Sequence, residues 1–78
     1  MNNYEPHEVR LANEIAETLK DRDALPLYLA YARRYQESHL RRILMKVMSI
    51  EAAKIRKTRG ALFTYLIENH YGNGHSRD

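Results

Sequence analysis

The chain contains no cysteine. That excludes a disulfide framework, a thiolate metal site and a cysteine nucleophile. Glycine and proline are scarce, at three and two in 78 residues. No GxGxxG or P-loop is present, because "KTRG" at 57–60 lacks a glycine-rich run before its lysine. There is no serine-centred glycine elbow, and the acids show no paired site. His7, His39, His70 and His75 lack the HxxxH or HExxH spacing of metal ligands. No apolar run approaches the ~18–20 residues of a membrane span, and residues 1–20 lack the apolar core of a signal peptide. No segment shows a strand period. The expectation is a cytoplasmic protein without cofactor, metal or membrane, and not an enzyme. A four-helix domain of this size also offers little pocket volume.

A hydrophobic fraction of 44%, with Leu, Ile, Val and Phe regularly spaced, suffices for a small core and argues against disorder. Seventy-eight residues make one domain near the lower limit for independent folding, so a partner or a homodimer is an open option. Net charge is +3, unevenly placed. Residues 1–23 carry six acids against three bases, whereas residues 33–59 carry nine bases against Glu37 and Glu51. A basic middle of this kind attracts a polyanion, or meets the acidic first helix of its own fold or of a second copy.

Apolar residues recur at helical spacing. Pro6 suits a first turn, and Val9, Leu11, Ala12, Ile15, Ala16 and Leu19 share one arc, predicting a helix over 6–20. A second helix follows Asp23 as N-cap, with Pro26 in its first turn and Leu25, Leu29 and Ala32 on one face. Tyr28, Tyr31 and Tyr35 flank that face. A third helix runs from Ser38 as N-cap to Met48, burying Leu40, Ile43, Leu44, Val47 and Met48 and turning His39, Arg41, Arg42, Met45 and Lys46 outward. The last helix, 60–71, carries Leu62, Phe63, Leu66 and Ile67 on its core stripe, with His70 at the stripe's end. Gly72 reads as its C′ residue, and 72–78 as a flexible tail outside the 1–71 domain. Ser49 is placed as cap of a short connecting helix, and Ile50 and Ile55 as core contacts. The expected fold is an all-α compact bundle of four main helices plus that short helix, with 43–57 in a helix-turn-helix-like arrangement.

The stretch "KIRKTRGALF" at 54–63 carries the chemistry. In one unbroken helix from 52 to 71, Arg56 and Arg59 would fall in the arc of Leu62, Phe63 and Leu66, and unpaired charges in a core cost several kcal/mol. The expectation is therefore a break near 57–58 with Thr58 as the new N-cap. Lys54, Arg56, Lys57, Thr58 and Arg59 then crowd a helix N-terminus, where free N–H groups favour an anion. Arg41, Arg42 and Lys46 extend the surface. These eight residues are the candidate nucleic-acid site, with DNA ahead of RNA, and an acidic protein surface is the competing partner. The alternative is a protein-interaction module working through Leu27, Tyr31, Arg34 and Tyr35. The plainer reading beside both is a solvated basic face, with bases paired to Glu14, Glu17, Asp21 and Asp23, and tyrosines that rim the core with their hydroxyls in water.

Overall fold

Pro6 opens the first helix at a position where a missing N–H costs nothing. The computed structural model describes residues 3–69. In it α1 (Pro6–Thr18) begins with the Glu8 carboxylate accepting from the Glu5 N–H at 2.9 Å. A 3-10 turn (Arg22–Ala24) leads into α2 (Leu25–Arg34). Then come α3 (Glu37–Ser49), a second 3-10 turn (Ala52–Lys54) and α4 (Arg59–Glu68). The fold is all-α, and no strand occurs among the described residues. The short connecting helix is that single turn at 52–54, so the pair sketched over 43–57 consists of one long helix and one turn. His70, Tyr71, Gly72 and the tail at 72–78 lie outside the described residues.

Three helix ends differ from expectation. α1 stops at Thr18 because Lys20 takes a left-handed backbone, φ 55°. The Asp21 N–H then reaches the Ala16 carbonyl at 2.8 Å and the Lys20 N–H the Glu17 carbonyl at 3.2 Å, a Schellman closure with lysine where glycine is usual. Asp23 falls inside the 3-10 turn, and Ala24 rather than Asp23 precedes α2, with no side-chain cap. Ser38 is likewise inside α3, whose N-cap is Gln36; the Gln36 carbonyl accepts from the N–H groups of His39 and Leu40, both at 3.1 Å.

α1 packs on α2 and α3 on α4, and one core joins the pairs. Leu11, Ala12, Ile15, Ala16 and Leu19 of α1 and its end meet Leu40, Ile43, Leu44 and Val47 of α3 and Phe63, Leu66 and Ile67 of α4. Val9 and Met48, expected inside, are 40% exposed, while Leu62, Ile50 and Ile55 are half-buried. The tyrosines lie deeper than a rim. Tyr28 is fully buried and Tyr31 nearly so, stacked edge-on or tilted against Phe63 at 5.8 and 6.4 Å between ring centres. Each phenol has a carboxylate: Tyr28 donates to Asp21 Oδ2 at 2.9 Å and Tyr31 to Glu68 Oε2 at 2.7 Å. Burial first, and then those carboxylates, push both phenols above their ordinary range, so they stay protonated donors.

Gly60 explains how α4 seats on α2. It is buried, and a Cβ there would run into the Asp21 carboxylate and lie 3.1 Å from the Tyr28 hydroxyl. Asp21 is short and pinned by Tyr28, so it has little room to yield. Gly60→Ala should therefore destabilise by about 1 kcal/mol or more, although alanine is the better helix former. In an Asp21→Ala background the same change should cost less. Denaturant unfolding of the four variants measures this coupling, expected at roughly 0.5–3 kcal/mol; additive changes would rule the clash out.

Candidate functional site

The junction between α3 and α4 holds the basic stretch. Ile50, Glu51 and Ile55 are extended, on either side of the turn at 52–54. Thr58 is extended too, φ −135° and ψ 162°, and its Oγ1 accepts from the Ala61 N–H at 3.0 Å. The break expected near 57–58 and the Thr58 cap are both present.

Two of the expected phosphate contacts are occupied within the fold. Arg59 turns back onto α3, where its Nη1 donates to the carbonyls of Val47 at 2.7 Å and Ile50 at 2.8 Å. These carbonyls lie at the end of α3, where the Val47 carbonyl otherwise accepts only a long bond from the Ile50 N–H, at 3.3 Å. Arg59 is thus a cap for α3, half-buried, and not part of an open basic face. Arg41 forms a bidentate pair with Glu14, both contacts at 2.8 Å, and its Nε donates to Glu37 at 2.6 Å. Its charge serves the α1–α3 contact. The start of α4 also has an anion already, because the Asp21 carboxylate sits against Gly60.

Arg33 belongs to the same internal pairing. It contacts Glu8 Oε1 through Nε at 3.2 Å and Nη2 at 2.8 Å, donates to the Asn3 carbonyl and lies 4.7 Å from the centre of the Tyr4 ring. The Arg33 hydrogen bond holds the Glu8 carboxyl below the usual range, and the Arg41 hydrogen bond does the same for Glu14. Of the four acids expected to pair with the basic middle, Glu14 does so; Glu17 pairs with Arg22, Asp21 accepts from Tyr28, and Glu8, not among the four, takes Arg33. Arg42 and Lys46 are exposed on α3 as expected.

Lys54, Arg56 and Lys57 remain. All three are exposed, and none makes an ion pair among the described residues. With Thr58 they rim a groove of about 420 Å³ whose other walls are Ile55, Ala61, Leu62 and Tyr65. Its floor was not anticipated as a site. Tyr65 is 61% exposed, and its place outside the core arc of α4 was the available signal. Ala61 and Tyr65 stand four apart on one helix face, beside the basic loop.

No protein-family model, no curated protein and no solved structure matches the chain. What the groove binds is to be inferred from its own chemistry. No helix among the described residues is long and apolar enough to cross a membrane. No cluster of three metal-ligating side chains occurs among them either. His39, expected to face outward, is buried at 4% exposure with its ring 5.8 Å from that of Tyr35.

The alternative flank of Leu27, Tyr31, Arg34 and Tyr35 does not form one open face. Leu27 and Arg34 are exposed and Tyr35 is half-buried against the core, but Tyr31 is inside it. The wheel placed Tyr31 beside the apolar arc; its ring contacts with Tyr28, Tyr35 and Phe63 draw it in.

Arg59→Ala should destabilise by about 1–3 kcal/mol, because it leaves part-buried carbonyls without a charged donor. Arg56→Ala should leave stability within about 0.5 kcal/mol. Equal denaturation midpoints for the two variants would refute this division of roles. The depressed Glu8 and Glu14 carboxyls give a second test. Their stabilisation is complete above the ordinary carboxyl value of 4.5 and is lost as pH falls through their lower folded values. Glu14→Gln should therefore flatten the acid side of the stability profile below about pH 4.5, read from denaturation midpoints between pH 7 and 3; a profile parallel to the parent's would show that the Arg41 pair contributes nothing.

Proposed function

We propose that this protein binds nucleic acid by contacting phosphates through Lys54, Arg56 and Lys57. One observation carries the reading: these three cations, which no acid among the described residues engages, share the rim of one groove. Basic residues that serve the fold alone would be expected to resemble Arg33, Arg41 and Arg59, each bound to a carboxylate or a carbonyl. Three lysine and arginine heads within four residues match the phosphate repeat of a polyanion better than a single carboxylate. Such contacts fix position on the strand and carry no sequence information themselves. Arg42 and Lys46 add positive potential from the outer face of α3, while Arg41 and Arg59 leave the binding set. The role proposed is that of a small cytoplasmic binding or regulatory protein, not an enzyme.

Salt dependence tests this. With three phosphates neutralised, log K should fall with log salt at a slope of about −2 to −3. Fluorescence anisotropy of labelled oligonucleotides between about 50 and 200 mM salt measures it. Changing Lys54, Arg56 and Lys57 together to Ala should abolish the slope and the binding without lowering the melting temperature. If neither single-stranded nor duplex DNA or RNA binds at ~50 mM salt, the proposal is overturned.

A further inference from the structure

The groove that carries the three cations is neither flat nor polar. Ile55, Leu62 and Ala61 line it with aliphatic surface, and Tyr65, an exposed residue, lines it with them. Tyr65 is 61% exposed, and no ring among the described residues stacks on it. Phosphates account for the rim and leave this floor unexplained. A duplex presents a convex, polar backbone and keeps its base faces stacked inside, so it would leave the apolar floor uncovered. A helix is the element that enters a major groove, yet Lys54 stands on a 3-10 turn and Arg56 and Lys57 on a bend between the helices. A single strand offers phosphates and unstacked base faces together. A basic groove beside an aromatic side chain is the arrangement that holds such a strand.

We infer that the groove takes a single strand, with Lys54, Arg56 and Lys57 on successive phosphates and one base stacked on Tyr65 above Ala61 and Leu62. This rests on the phosphate-binding reading above and names its substrate class. Any base can stack, so recognition here is of strandedness and not of sequence. Deoxyribose and ribose strands share the phosphates and the base faces, and the test separates them.

The experiment compares four labelled probes at ~50 mM salt: a dT 12-mer, an rU 12-mer, a duplex of equal length and an abasic 12-mer that keeps the phosphates but has no bases. The expected result is tighter binding of the dT or the rU strand than of the duplex and the abasic strand, by about tenfold or more. Tyr65→Ala should weaken binding of the preferred strand by roughly fivefold to a hundredfold, and Tyr65→Phe should restore it. Tyr65 is exposed, so neither variant should shift the melting temperature. If the duplex or the abasic strand binds as tightly as dT and rU, or if Tyr65→Ala changes nothing, the single-strand inference is overturned while phosphate binding stands. If no probe binds, both fall.

Discussion

Nη1 of Arg59 reaches out of the first turn of α4 to the carbonyls of Val47 and Ile50, so the start of one helix closes the end of the one before it. The rest of the junction follows from this contact. It sets how close α3 and α4 approach, and it forces the nine residues from 50 to 58 to turn within a short span. It also draws one guanidinium out of the basic stretch and leaves its neighbours outside. Thr58 supplies the complementary cap on α4, so both helix ends are satisfied by adjacent residues.

The opposite side of α4 is fixed by a carboxylate. Asp21 follows the left-handed Lys20, accepts from Tyr28 and fills the space where Gly60 lacks a side chain. α1, α2 and α4 thus meet at one polar contact beside an otherwise apolar core. The charge asymmetry of the chain gains a physical meaning here. Glu8 and Glu14 engage Arg33 and Arg41 across helices, and Asp21 serves the positive end of α4. With those acids committed, the cations at 54–57 have no ion-pair partner among the described residues.

Much of this was legible from helical periodicity. Apart from Val9 and Met48 at the margins, the cores of α1, α3 and α4 follow their wheels, because each packs one face and the arc is set by 3.6-residue spacing. The break before α4 was legible because a continuous helix would have buried Arg56 and Arg59. What escaped was whatever depends on a distant partner. Tyr31 enters the core because Phe63 and Glu68, more than thirty positions away, receive its ring and hydroxyl. His39 is an exception, turning inward with its ring beside Tyr35 only four positions earlier. Arg59 looked equivalent to Arg56 in the sequence, since only the fold reveals which of them faces the α3 carbonyls. α1 ends early at a lysine because the Schellman closure tolerates a non-glycine when tertiary contacts hold it. The groove floor was invisible for the opposite reason: leftover apolar residues on a wheel say nothing about concavity.

On the proposed reading, Lys54, Arg56 and Lys57 serve a ligand outside the fold. Cations next to a helix N-terminus face its positive end, an arrangement unfavourable by about 0.3–1 kcal/mol per close charge at low salt. Asp21 offsets this for the helix itself, but it is engaged by Tyr28 and set against Gly60. A domain of this size has only a few kcal/mol of stability to spare. Retaining three like charges there brings the isolated protein no ion pair among the described residues. A bound anion on the groove rim would remove the repulsion that the free protein carries, so part of the binding free energy would come from relief of that strain. The same loop that weakens the free fold slightly is then the one best placed to gain from a ligand.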